Sequence, residues 1–188
     1  MLGARFTPGQ PVVVDGDQVG ETPVFRYVVL HKPAGYVCSR RRQGDVPTIY
    51  ELLPEDMRPL KAVGRLDKDS SGLLLLTNDG DFAFSYTHPK FAKTKVYDVM
   101  LAKPLEPLHQ QMICDYGIDI GDGVSRLGLQ KEDDERIRWT VTMTEGRNRQ
   151  IRRTFAALGY EVVALHRTQF GPFALGALEA GEYEQVTP

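Results

Sequence analysis

Short stretches in which apolar and polar residues alternate run through much of the chain. The alternation is regular over 137–143 and present over 94–101, as in strands that bury one face of a sheet. The apolar runs at 60–63 and 73–76 are too brief for helices and predict fully buried strands. β-Branched and aromatic residues predict further strands over 11–14, 25–31, 162–165 and 183–186.

Helical spacing is clearest near the C-terminal third of the chain. Ile151, Phe155 and Leu158 recur at helical intervals within 148–158, and Gly159 follows as a terminating residue. Other helices are predicted over 49–53, 81–86 and 107–116. Because strands and helices mix without a regular β-α-β order, the pattern predicts an α+β fold with a mixed, largely antiparallel sheet and flanking helices.

Composition places the chain among ordinary globular proteins. It has 188 residues, of which 41% are hydrophobic and 26% charged, enough for one domain or for two small lobes. The net charge of -2 argues against a protein that coats nucleic acid indiscriminately. Five arginines against two acids over 145–167 indicate a local basic surface instead.

Several classes of protein are disfavoured by what the sequence contains. Cys38 and Cys114 are far apart and suggest no disulfide framework. No apolar run is long enough to span a bilayer, and the first residues do not resemble a signal peptide, so we expect a cytoplasmic protein without a membrane partner. The histidines and cysteines have no metal-ligand spacing, so no metal site is predicted.

The polar loop between the two apolar runs allows more than one chemistry. Asp67, Asp69, Ser71 and Gly72 fall on the first positions of a calcium-binding loop, but Asn78 stands where that loop has a bidentate glutamate. Aspartate and serine also cap turns without further function. The loop alone therefore leaves a calcium site, a structural turn and a catalytic carboxylate open.

Four stretches resemble, in the same order, the motifs of pseudouridine synthases that modify ribosomal RNA. They are Lys-Pro-Ala-Gly-Tyr-Val at 32–37, Arg-Leu-Asp at 65–67 with Ser-Gly-Leu-Leu at 71–74, Lys-Thr-Lys-Val-Tyr at 93–97, and Glu-Gly-Arg-Asn-Arg-Gln-Ile-Arg-Arg at 145–153. The likeness is greatest to the bacterial branch that carries Gly-Arg-Leu-Asp and usually has an N-terminal S4 domain. Each stretch alone is a weak signal, whereas four in register make a strong one.

The resemblance implies an isomerase that converts one uridine of ribosomal RNA to pseudouridine without cofactor or metal. It also implies a sheet with two lobes around a central RNA-binding cleft. The segments 35–38 and 172–186 look most like the enzymes that act on small-subunit ribosomal RNA. Residues 1–23 are expected to be a linker or the remnant of a missing S4-like RNA-binding domain, and 24–188 to be the catalytic domain. The protein is expected to be a monomer. Its expected partner is ribosomal RNA or a ribosomal subunit assembly intermediate.

Three residues are expected to carry the chemistry. Asp67 is the candidate nucleophile, either at the ribose or at the uracil ring. Burial alone would raise the pKa of such a carboxyl, and Arg152 is the candidate cation that offsets it, although it also fits a solvated helix face. Tyr97 is expected to stack on the flipped uracil and to take part in proton transfer, although its strand would equally suit a core tyrosine.

Other basic residues are expected to hold RNA. Arg65 is expected to enter the stack and occupy the place of the flipped nucleotide. Contacts with phosphate are expected from Lys32, Lys93, Lys95, Arg147 and Arg149. A catalytically inactive RNA-binding or ribosome-assembly factor is the alternative function, but such a binder would not need Asp67, Tyr97 and Arg152 together.

Overall fold

The computed structural model describes residues 24–42 and 44–188, and the backbone of 12–14 and 17–19. The latter two segments form an antiparallel hairpin of β1 (Val12–Val14) and β2 (Asp17–Val19), where the sequence predicted a strand. The rest of the segment 1–23 lies outside the described residues. Its assignment as a linker or domain remnant stays a prediction.

The other elements follow the predicted order of short strands and few helices. The strands are β3 (Tyr27–Lys32), β4 (Lys61–Val63), β5 (Ser71–Thr77), β6 (Lys95–Leu101), β7 (Ile118–Asp119), β8 (Val124–Ser125), β9 (Gly128–Lys131), β10 (Arg138–Met143), β11 (Val162–Phe170), β12 (Phe173–Ala174) and β13 (Tyr183–Gln185). The α-helices are α1 (Gly80–Thr87), α2 (Pro107–Gln111) and α3 (Gln150–Ala156). Short 3-10 turns occupy Ile49–Leu52, Glu55–Met57 and Pro89–Phe91, and α2 widens into a π-turn at Met112–Tyr116. Among the described residues, no helix has the length and apolar character that crossing a membrane requires.

One mixed sheet of nine strands organises the molecule. Its main path is β13-β3-β5-β11-β6-β10-β9, with β4 paired to β5 and β12 paired to β11. Every pairing is antiparallel except that of β5 with β11. The predicted α+β class with a largely antiparallel sheet is confirmed. The two predicted lobes stay a prediction, because the sheet runs on without a break.

Strand β5 is buried on both faces, as its apolar run predicted. Leu74 and Leu76 join a cluster with the 3-10 turn at Ile49–Leu52, while Leu73 and Leu75 join a second cluster on the opposite face with α1. A third cluster, which includes Trp139 and Phe155, lies between α3 and the strands β6, β10 and β11. The loop that precedes β5 is therefore anchored to the best-packed part of the sheet.

Strand β11 extends further than the sequence predicted. The apolar pattern supported only 162–165, but the strand continues through four polar residues to Phe170. His166 and Arg167 pair with β5 on one side, Gln169 pairs with β12, and β6 lies along the other side, so these polar residues find hydrogen-bond partners on neighbouring strands. This extension brings Arg167 under the cleft described below.

Candidate active site

A cleft of about 780 Å³ opens over the centre of the sheet. Its walls come from the loop before β5, the segment around Pro89–Phe91, the basic loop before α3, and the inner strands β6 and β11. Seven of the nine predicted site residues line it, and these are Arg65, Asp67, Lys93, Lys95, Tyr97, Arg147 and Arg149. Lys32 and Arg152 do not line this cleft.

Asp67 lies on the tight loop between β4 and β5. The Ser70 backbone N–H donates to the Asp67 carbonyl at 3.1 Å, which closes a turn. Leu66 is buried below, and its backbone N–H and carbonyl both lie 3.4 Å from the Cys38 sulfur. The Asp67 side chain is 17% exposed, so it is largely withdrawn from solvent yet open to the cleft. A carboxylate in this position is accessible to a substrate and sheltered from bulk water.

The prediction that Lys32 contacts phosphate is wrong. Its side chain is fully buried, and its ammonium donates to the carbonyl oxygens of Ser70 at 2.6 Å and Pro33 at 2.9 Å. Burial lowers the pKa of this lysine. The ammonium also lies 3.5 Å from the Lys68 carbonyl oxygen, so Lys32 is bound to the loop that carries Asp67 through Lys68 and Ser70.

The structure pairs Asp67 with Arg149 and places Arg152 at Asp69. Arg149 Nη1 lies 3.5 Å from an Asp67 oxygen, and both Arg149 terminal nitrogens donate to the Asp69 carboxylate at 3.1 and 3.2 Å. Arg152 Nε lies 3.4 Å from Asp69, and Arg152 Nη1 donates to the Val162 carbonyl. The hydrogen bond from Arg149 lowers the pKa of Asp69.

Arg149, and not the expected Arg152, lies beside Asp67 because of the way the chain enters α3. Arg149 precedes the helix with a positive φ of 47°, and its side chain reaches the loop that carries Asp67 and Asp69. Arg152 is already inside the helix and reaches across to the beginning of β11. Helical spacing alone did not predict this, because the residue that faces Asp67 lies outside the regular helix.

Tyr97 lies on β6 with only 7% of its surface exposed, yet it lines the cleft. Opposite it on β11 is Arg167, whose Nη1 is 3.5 Å from the Tyr97 hydroxyl oxygen. The sequence singled out no role for Arg167. The only signal was its membership of the arginine-rich segment, since its place in the cleft depends on the unpredicted part of β11.

The basic residues that line the cleft differ in how many contacts they make with the rest of the protein. Lys95 lies within hydrogen-bonding distance of the carbonyl oxygens of Lys93, Thr144 and Glu145, and burial with the nearby Arg167 charge lowers its pKa to about 8. Arg147 pairs with Glu145 at 2.9 Å and with Asp122 at 3.3 Å. Arg65 is exposed and has no hydrogen bond or ion pair with the described residues. Lys93, whose ammonium lies over the Tyr86 ring, is a further cation at the edge of the cleft that could bind an anion.

No cluster of three or more histidine, cysteine, aspartate or glutamate side chains that could hold a metal ion occurs within 24–42 or 44–188. The residues that line the cleft offer a carboxylate, a phenol hydroxyl and several cations. Such groups are suited to nucleophilic attack, proton transfer and anion binding. An aromatic ring beside basic groups also suits the binding of a single-stranded nucleotide.

Comparison with known proteins defines the class. Residues 26–157 match the family model described as RNA pseudouridylate synthase. A relative from Pasteurella multocida (strain Pm70), "Ribosomal small subunit pseudouridine synthase A", is 36% identical over 94% of this chain and 76% of its own length. "Ribosomal large subunit pseudouridine synthase B" from Bacillus subtilis (strain 168) is 34% identical over 100% of this chain and 78% of the relative.

The fold agrees with the sequence match. A solved structure titled "Crystal structure of pseudouridylate synthase" superposes with a TM-score of 0.80 at 35% identity, covering 98% of this chain and 80% of that one. The chain belongs to the RNA pseudouridylate synthase family. The resemblance inferred from the four motif stretches is confirmed, and so is the prediction of an enzyme of this class.

Proposed function

We propose that this protein converts a specific uridine of ribosomal RNA to pseudouridine, with Asp67 as the nucleophile. The observation that carries the proposal is the position of Asp67, 17% exposed in the cleft and 3.5 Å from Arg149. Relatives named for both ribosomal subunits support ribosomal RNA as the substrate. We place the catalytic unit at 24–188, which contains all of the cleft.

The reaction moves one bond of the nucleotide. The bond from ribose to uracil nitrogen 1 breaks, the base turns, and the ribose carbon joins uracil carbon 5. Asp67 would attack either the ribose anomeric carbon or the uracil ring, and the Arg149 guanidinium lies 3.5 Å from the attacking carboxylate. Nitrogen 1 gains a proton and carbon 5 loses one, so the reaction needs no other reactant.

The remaining site residues would hold the RNA. Tyr97 would stack on the flipped uracil, an interaction worth about 1–3 kcal/mol per base. Arg65, exposed at the cleft, would fill the space that the flipped nucleotide leaves. The phosphate contacts would come from Lys93, Lys95, Arg147 and Arg149.

Arg152 would act through its neighbours. It lies against Asp69 and joins α3 to β11, so it would keep Asp69 in place as the partner of Arg149. This assigns Arg152 a positioning role and gives Arg149 the place beside the nucleophile.

We further propose a preference for small-subunit ribosomal RNA. The support is the likeness of the segments at 35–38 and 172–186 to enzymes of that subunit, together with the relatives named for it. Separate transcripts of the two ribosomal RNAs test the preference. Faster pseudouridine formation in the large-subunit transcript would contradict it.

Release of tritium from carbon 5 of uridine in ribosomal RNA tests the nucleophile. Asp67→Asn should stop release, because an amide cannot attack, while RNA binding persists. Asp98→Asn is the control, since this exposed aspartate lies on the strand of Tyr97 but outside the cleft lining. Unchanged release by D67N would contradict the proposal. Binding without release by the unchanged protein would support an inactive assembly factor.

A further inference from the structure

Arg167 is a buried cation for which the reaction outlined above has no use. Only 2% of its surface is exposed, and it has no carboxylate partner among the described residues. Its charge also lowers the pKa of the neighbouring Lys95. An unpaired guanidinium in the interior is costly, because burial removes its hydration without a compensating charge. Such a cost at the floor of a catalytic cleft points to a functional role.

The position of Arg167 is fixed by several elements. Its backbone lies between Gly72 of β5 and Tyr97 of β6, and the register of β11 against β6 shifts immediately after it. Shifts of this kind re-aim side chains and are frequent beside active sites. Its Nε donates to the Leu73 carbonyl at 2.7 Å, and its guanidinium packs 4.9 Å from the centre of the Phe170 ring. The side chain therefore has one defined orientation.

That orientation directs the guanidinium to the hydroxyl of Tyr97. Nη1 is 3.5 Å from Tyr97 Oη, and Nη2 has no partner among the described residues. Arginine has only donors, so in this pair the tyrosine oxygen accepts. The Tyr97 O–H bond must then point away from Arg167. The contact therefore fixes the Tyr97 hydroxyl as an acceptor from Arg167 and as a donor towards another group.

We infer that Arg167 is a positioning residue that orients the Tyr97 hydroxyl for the proton transfer at uracil carbon 5. This inference rests on the proposed function and deepens it. When the carbon 5–hydrogen bond breaks, its electron pair forms the carbon 5–carbon 6 double bond, the pair of the carbon 6–nitrogen 1 double bond moves onto nitrogen 1, and the proton passes to Tyr97 Oη. The hydroxyl gives up its own proton, which reaches nitrogen 1 through water, so the tyrosine is unchanged at the end.

The experiment compares uridine that carries hydrogen or deuterium at carbon 5. Single-turnover formation of pseudouridine is followed in small-subunit ribosomal RNA transcripts by mass spectrometry. Arg167→Met keeps an unbranched apolar side chain and removes every donor. It should slow the reaction by about 100- to 1000-fold, the range found when one preorganised donor is lost, and should raise the deuterium isotope effect. Arg167→Lys retains a donor and should fall between R167M and the unchanged protein.

Arg136→Met is the matched control. Arg136 also donates from Nε to a buried carbonyl, that of Leu105, and packs over the Trp139 ring, but it lies outside the cleft lining. It should change thermal stability and leave the isotope effect as it was. Tyr97→Phe removes only the hydroxyl and should raise the isotope effect even if the Arg167 variants do not fold.

The outcomes separate this inference from the proposed function. If the unchanged protein forms pseudouridine and D67N does not, the proposed function holds. An isotope effect in folded R167M equal to that of R136M would then overturn the role of Arg167. An unchanged isotope effect in Y97F would overturn it as well, because Arg167 is argued to act through that hydroxyl.

Discussion

Asp67 and Asp69 share one arginine at the mouth of the cleft. Asp69 binds Arg149 through two hydrogen bonds, whereas Asp67 has a single, longer contact with it at 3.5 Å. Because a bidentate pair sets both distance and plane, Asp69 determines where the Arg149 charge lies. The Asp67 carboxylate is thus close to a cation without being tied to it.

Asp69→Asn tests this arrangement. The amide cannot form the same charged pair, so Arg149, whose side chain is 44% exposed, should move and misplace its charge by enough to lower kcat about tenfold. Asp122→Asn is a matched control, because Asp122 is about as exposed and also binds two arginines of the basic loop and α3. Equal effects of D69N and D122N on kcat would contradict the role of Asp69.

Lys95 predicts a pH dependence above neutrality. Its pKa of about 8 lies below the ordinary value, so the side chain is charged below that pH and loses its charge as the pH rises through it. We expect kcat/KM for RNA to fall over this range, since kcat/KM follows ionisations of the free enzyme. Lys95→Arg should abolish the fall because a guanidinium stays charged.

The control for this profile is Lys103→Arg, a lysine outside the cleft lining. K103R should keep the decline of the unchanged protein. A profile of K95R that declines as the unchanged protein does would contradict the assignment of the ionisation to Lys95.

Residue types revealed which groups were chemically able to act, but not which would meet. Lys32 is a motif lysine that reads as a phosphate contact, and only its packing under the Ser70 carbonyl shows that it is structural. The cation beside Asp67 is likewise decided by the entry into α3, where Arg149 takes a positive φ. Such contacts join residues that are far apart in sequence, so the local sequence pattern cannot predict them.

Strands β5 and β11 form the parallel contact at the centre of the sheet, and Gly72 makes it possible. A Cβ at this position would lie 2.2 Å from the Arg167 carbonyl oxygen, and the φ of Gly72 is +106°. A side chain is therefore excluded both by space and by backbone conformation. The close approach sets Arg167 beside Tyr97.

Gly72→Ala should destabilise the protein by about 3 kcal/mol or more, since backbone strain and steric overlap each contribute about 1–3 kcal/mol. Gly35→Ala is the control, because Gly35 has a similar φ of +93° but open space around its Cβ position. G35A should thus cost only the strain. Urea unfolding measures both, and equal free energies of unfolding would contradict the steric part of the argument.

The pattern of apolar residues predicted most of the strands that bury one or both faces. Alternation revealed β6 and β10, and the apolar run revealed β5, because burial of one or both faces leaves a period in the sequence. The second half of β11 was missed because its residues are polar and are satisfied by neighbouring strands. Arg167 lies in that half of the strand, so its role was missed for the same reason that the strand was predicted too short.

The whole molecule brings together motif stretches that are widely spaced along the chain. The sheet places β5, β11 and β6 side by side, so the Asp67 loop, Arg167 and Tyr97 meet at its centre, and α3 adds Arg149 from above. The order of the motifs revealed the family, but their mutual distances required the sheet. The central claim is that this assembly forms pseudouridine in ribosomal RNA through Asp67.

Mapping pseudouridine in ribosomal RNA from cells that lack the gene tests that claim most directly. The cells are complemented with the unchanged gene or with one encoding D67N at equal protein level. We predict that one pseudouridine, in small-subunit ribosomal RNA, disappears without the gene, returns with the unchanged protein and stays absent with D67N. A map that is the same in all of these cells, or a modification restored by D67N, would contradict the claim.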